Sequence, residues 1–230
     1  MTIIDYIAVL FFVGSWALFT WVTGAERRFG RISLTRAMAI HRANWIRTSL
    51  TRDLKMIDTA IMAGLQNGTA FFGSASLIAL GTSFALLGAT DQAEALFHDW
   101  PMLFHSSRTA FEIKVGGLSA IFAYSFFKFG WSYRLFNYCS ILFGSTPMYS
   151  DAIKDTHAAN LAAERVIAMN VIAAKHFNAG LRALFLSIGY LGWFMNAYLF
   201  MAMTVFVLFV LVRRQFFSEA REALLKGLEE

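Results

Sequence analysis

Apolar residues along this chain gather in long runs, not in the strict alternation of strands or the single stripe of a surface helix. The first run, 3–22, is apolar on every side, as expected of a helix surrounded by hydrocarbon. Polar and basic positions then dominate as far as Lys55, where Met38, Arg42, Trp45 and Ser49 fall on one helical face with Ser33 or Thr35 as its cap. A second run starts at Met56 with a mixed half, holding Asp58, Gln66, Asn67 and Thr69, and turns cleanly apolar from Phe71 to Leu87. The third, Phe111 to Phe143, would be ~50 Å long as a helix, well beyond the ~30 Å of hydrocarbon in a bilayer. A fourth helix is expected from Thr156 to Phe194. Its polar stripe reads His157, Asn160, Glu164, Ala168, Val171, Lys175, Asn178 and Arg182, at spacings of three and four. After a turn near Asn196, Tyr198 to Val212 is short and very apolar. The pattern predicts an all-α fold, a polytopic membrane helical bundle. About five spans are expected, at 3–22, 66–88, 111–132, 176–194 and 197–212, within a single domain covering 1–230.

Charge orients these spans. Segment 26–55 carries Arg27, Arg28, Arg31, Arg36, Arg42, Arg47, Arg52 and Lys55 against only Glu26 and Asp53, so it is expected in the cytoplasm. Asp91, Glu94 and Asp99 reverse the sign in the next loop, which fits the outside, and Arg213-Arg214 returns the chain inward. The predicted topology is therefore N-outside and C-inside. Counting Arg182 to Val212 as one span would leave four and put Arg213, Arg214, Arg221 and Lys226 outside, against the charge rule. The excess length of the helices predicts a cytoplasmic helical layer that includes 134–172. Arg42, Trp45, Arg47 and Arg52 are expected at the membrane surface, where anionic lipids are natural partners.

Composition agrees. Hydrophobic residues make up 57% of the 230 positions and charged ones 15%, against ~45–50% and ~25% in soluble domains. Two prolines leave room for long unbroken helices. Cys139, the one cysteine, excludes an internal disulfide and a thiolate cluster. The net charge of +5 does not imply nucleic acid, because the basic residues crowd beside apolar spans where membrane orientation explains them.

Candidate chemistry centres on Ser125 to Tyr138, where Lys128 and Arg134 stand among aromatic rings. As a helix, Tyr124, Lys128, Trp131, Leu135 and Tyr138 form one stripe, with Arg134 on the neighbouring face. These cations either snorkel to the interface beside an aromatic belt or are buried to anchor helices or a ligand. Asp58 and Glu164 are the acids expected to pair with Lys128 or Arg134. Lys175, His176, Asn178 and Arg182 complete the ligand-facing set, Arg182 being hardest to place in water. No catalytic residue, metal site or cofactor is expected, although bound lipids are. A haem at His176 would need a second histidine at similar depth, and His41, His98, His105 and His157 do not supply it. Gly64 to Gly68 is not followed by the Lys-Ser/Thr of a phosphate loop, and Gly73-Ser-Ala-Ser is not a nucleophile elbow.

Several blocks together resemble a known family. They are His41-Arg-Ala-Asn-Trp45, Leu50-Thr-Arg-Asp53 with Asp58, Phe71-Phe72, Phe127 to Arg134, His176 to Arg182, Gly192-Trp-Phe194, and the tail from Arg213-Arg214 to Arg221. The chain is similar, over essentially its whole length, to the bacterial and plant membrane proteins grouped as domain of unknown function 599. The resemblance implies a multi-pass protein of the bacterial inner membrane and supplies no activity. The expected role is non-catalytic: a structural or accessory subunit, homo-oligomeric or in a larger membrane complex. The alternative is a channel or carrier for a small anion, lined by Lys128, Arg134, Lys175 and Arg182.

Overall fold

The computed structural model describes residues 1–24, 32–88 and 107–227. Arg27, Arg28, Arg31, the acidic loop with Asp91, Glu94 and Asp99, and His98 and His105 lie outside these residues. Everything regular among the described residues is helical: α1 (Ile3–Gly24), α2 (Leu34–Ser49), α3 (Met56–Gly88), α4 (Arg108–Gly144), α5 (Tyr149–Ala152), α6 (Thr156–Met195), α7 (Ala197–Phe216) and α8 (Glu219–Leu225). Among the described residues four stretches are long and apolar enough to cross a membrane: Ile3–Thr23, Met56–Gly88, Arg108–Gly144 and Ala197–Leu225. With 33, 37 and 40 residues, α3, α4 and α6 each outrun a bilayer's hydrocarbon.

Contacts divide the chain into two units. The terminal unit comprises Met1–Leu34, Ser76–Tyr124 and Arg182–Glu230; the internal unit comprises Thr35–Ala75 and Ser125–Leu181. In the terminal unit α1 packs along α7. Its core holds Phe12 and Phe19 of α1, Leu118 and Ile121 of α4, Leu186, Tyr190 and Trp193 of α6, and Phe200, Val207 and Leu211 of α7. The α6–α7 corner is a single residue, Asn196, whose extended backbone breaks the helix and whose side-chain oxygen accepts from the Leu199 N–H at 2.7 Å. Gly189 and Gly192 let the two legs close up. A Cβ at Gly189 would lie 3.2 Å from the Thr204 Cα, and one at Gly192 3.0 Å from the Leu199 carbonyl oxygen.

In the internal unit α2 packs against the first part of α3, the last part of α4 and the first part of α6. Ile46, Leu50, Met62, Cys139, Phe143, Ala159, Ala163 and Val166 form the shared core. The buried face of α4 here reads Ser125, Phe129, Ser132, Phe136, Cys139 and Phe143. The Lys128 stripe, read as either interfacial or buried, is not this row. Trp131 and Tyr138, on the Lys128 stripe, are exposed, and the buried row lies one residue further along the chain. Large rings and small residues alternate along that row, and the facing helix comes close at the small ones. The Ser132 hydroxyl donates to the Ala173 carbonyl at 2.8 Å, and the Ser125 hydroxyl to that of Gly180 at 3.3 Å. A row of tryptophan and tyrosine could not come so near.

Candidate functional site

The densest polar cluster of the internal unit centres on Asp58, in the first turn of α3 and without exposed surface. A carboxylate out of water needs donors or a counter-charge. Its Oδ1 accepts from the Trp45 indole N–H at 2.7 Å and from the Arg52 guanidinium. Its Oδ2 is buried and has no partner among the described residues. Lys55, three residues earlier, donates to the Thr146 hydroxyl at 2.6 Å and to the Pro147 carbonyl at 2.9 Å, and covers the Phe143 ring. Burial pulls the Lys55 ammonium below its usual range, and nearby Asp58 offsets part of that pull. The α2–α3 connection is thus clamped at both ends by charge.

The four residues expected at the membrane surface all find protein partners. Arg42 donates to the Asn170 Oδ1 at 2.6 Å, and Asn170 is itself fully buried. Burial lowers the proton affinity of this guanidinium, which the Cys139 side chain opposes. Trp45 and Arg52 serve Asp58, while Arg47 reaches Glu164 at 2.7 Å with both side chains about half exposed. In place of the expected Lys128 or Arg134, Asp58 pairs with Arg52 and Glu164 with Arg47. Both acids are engaged by arginines from the α2 side, because α2 lies against α3 and α6 and so approaches them first. Arg134 instead stays exposed, donating to the Tyr138 hydroxyl at 2.5 Å and lying over the Trp131 and Tyr138 rings. Lys128 is half-buried within electrostatic reach of His176, whose ring meets Trp131 edge-on. Lys175 is exposed and Asn178 half-buried.

The terminal unit carries a cluster that the sequence did not single out. Asp5, in the first turn of α1, accepts from the Trp193 indole N–H at 2.8 Å. The buried Lys114 ammonium lies over the Trp193 ring, and the Tyr190 hydroxyl donates to the Lys114 carbonyl at 3.0 Å. An isolated acid opening an otherwise apolar run was the available signal. Arg182 also belongs to this unit; its Nε is buried without a partner among the described residues. No group of three or more His, Cys, Asp or Glu side chains placed to hold a metal occurs among the described residues.

These arrangements clamp helices and desolvate charges. No curated protein and no solved structure matches the chain. The model of one family, described as a protein of unknown function, DUF599, matches residues 7–220, and the chain belongs to that family.

Proposed function

We propose that this is a non-catalytic, multi-pass component of the bacterial inner membrane, either a homo-oligomer or an accessory subunit of a larger membrane complex. One observation carries the reading: the apolar window of α3 is only 11% buried, against 44% for α4. A helix so little covered by its own chain must be covered by lipid or by another subunit. Exposed Asn67 on the same helix adds a polar side chain better satisfied by protein than by hydrocarbon. On this reading the spans number five, with 176–194 of α6 as the fourth, and the chain runs N-outside to C-inside. The Arg213-Arg214 pair at the end of α7 supports that sense.

Extraction into a membrane-solubilising polymer, followed by mass analysis of the intact particle, tests the assignment. A defined complex larger than one chain is expected, and a monomer in every preparation refutes it. A reporter fused after Glu230 should be active in the cytoplasm; activity confined to the periplasm refutes the topology. The second reading, a channel or carrier for a small anion, draws on Lys128 standing within electrostatic reach of His176. Anion flux into liposomes that disappears with Lys128→Gln would favour it over the first.

A further inference from the structure

Arg182 lies on α6 inside the stretch assigned to a crossing. The Nε of its guanidinium is buried and has no hydrogen-bond partner among the described residues. An unsatisfied cationic donor in low dielectric calls for an acceptor from outside the polypeptide. Tyr124 of α4 is close enough to interact with it electrostatically, and the next residue, Ser125, donates to the carbonyl of Gly180, two residues before Arg182, at 3.3 Å. Tyr124 is also one wall of an open groove of about 470 Å³, whose other lining is Val13, Trp16, Ala17, Thr20 and Trp21 of α1. Trp16 meets Tyr124 edge-on at 5.4 Å, so the two helices present a continuous aromatic floor. A polar end beside Arg182 and an apolar length along α1 together describe an amphiphile.

We propose that this groove seats one anionic phospholipid, with its phosphate accepting from the Arg182 guanidinium at the Tyr124 wall and an acyl chain lying along α1. A helical side chain leans toward its helix's N-terminus, so the guanidinium reaches toward the Lys175 end of α6. On the topology proposed above, that end is the inner-leaflet headgroup side, within a snorkelling arginine's range. A neutral hydrocarbon would fill the groove and leave the Nε unpaired. A soluble anion would pair the Nε and leave the groove to bulk lipid. Phosphatidylcholine has the phosphate but balances it with its own cation. The inference goes beyond the subunit assignment and holds for a single chain.

The full-length protein, purified in dodecyl maltoside, is titrated with dioleoyl phosphatidylglycerol or dioleoyl phosphatidylcholine while its melting temperature is followed. The expected result is half-saturation at a roughly tenfold lower concentration of phosphatidylglycerol, the factor that one charge-assisted hydrogen bond gives. Arg182→Gln should bring the two titrations together. Val13→Trp, which fills the groove from an exposed α1 position, should weaken both. Millimolar inorganic phosphate should leave the melting temperature unchanged. Equal responses to the two lipids, a phosphatidylglycerol preference that survives Arg182→Gln, or a phosphate response as large as the lipid's would overturn the proposal. If Arg182→Gln does not purify folded, Val13→Trp decides: an unaltered phosphatidylglycerol titration in that variant overturns it.

Discussion

In the terminal unit Phe12, Tyr190, Trp193 and Phe200 meet ring to ring, with centroids 5.2 Å apart for Phe12–Phe200 and 5.6 Å for Phe12–Tyr190. In the internal unit the same helices α4 and α6 also bring rings together, Phe129 and Phe177 with centroids 5.6 Å apart, and add hydroxyls on carbonyls, a buried asparagine and charged clamps from α2. The difference lies in the polar contacts that the internal unit adds. Lipid supplies no hydrophobic drive between helices, so association there rests on dispersion and shape, which rings provide in quantity. Where water is near, an arginine can be partly buried and still reach solvent, so polar clamps become affordable. The arginine clamps around α2 fit the cytoplasmic side expected of segment 26–55 from its charge.

The contrast can be broken deliberately. Phe200→Ala removes a fully buried ring and should cost about 3–5 kcal/mol, measured by unfolding in mixed micelles. A loss below about 1 kcal/mol would mean that the rings do not hold the terminal unit together. Asp58→Ala should cost about 3 kcal/mol, the low end for a buried pair, because Arg52 is 34% exposed and can turn to water. Adding Arg52→Ala should recover part of that loss, and strict additivity of the two would contradict the clamp. Gly180→Ala drives a methyl to 2.8 Å from the buried Phe129 ring, so about 1–3 kcal/mol is expected. An unchanged stability would show that α4 and α6 have slack at this crossing. Arg47→Ala removes a half-exposed ion pair and should cost no more than about 1 kcal/mol. A larger loss would move Arg47 and Glu164 from the surface into the energetics of the clamp.

Helix extents were legible because they depend on long apolar runs and on local stop signals. Met56 to Gly88 and the unbroken stretch from Thr156 were read almost to the residue, as was the turn at Asn196. Which face of α4 turns inward was not legible. Lys128, Trp131 and Tyr138 carry the conspicuous chemistry, yet burial follows Ser125, Ser132 and Cys139, whose value lies in being small. Composition reports what a side chain can do, whereas helix approach rewards what it leaves room for. Partner choice was likewise hidden: Asp58 met Arg52 and Trp45, near it in sequence, instead of a cation on α4. A chain folding back through a short connection brings its own neighbours first. The Asp5–Trp193–Lys114 group joins residues remote in sequence, and no spacing rule connects them.

The one-residue corner at Asn196 has a consequence for biogenesis. α6 carries Lys175, Asn178 and Arg182 near its middle and is not among the four stretches of the described residues that qualify for a crossing by length and hydropathy. It is nevertheless tied without slack to α7, one of the most apolar segments in the chain, and Gly189 and Gly192 shape it to that leg. We expect the two to leave the translocon as a preformed helical hairpin, the second leg carrying the first into the bilayer. In an insertion assay, 156–195 alone should integrate poorly and 156–216 well. Equal integration of the two segments would show that α6 needs no escort.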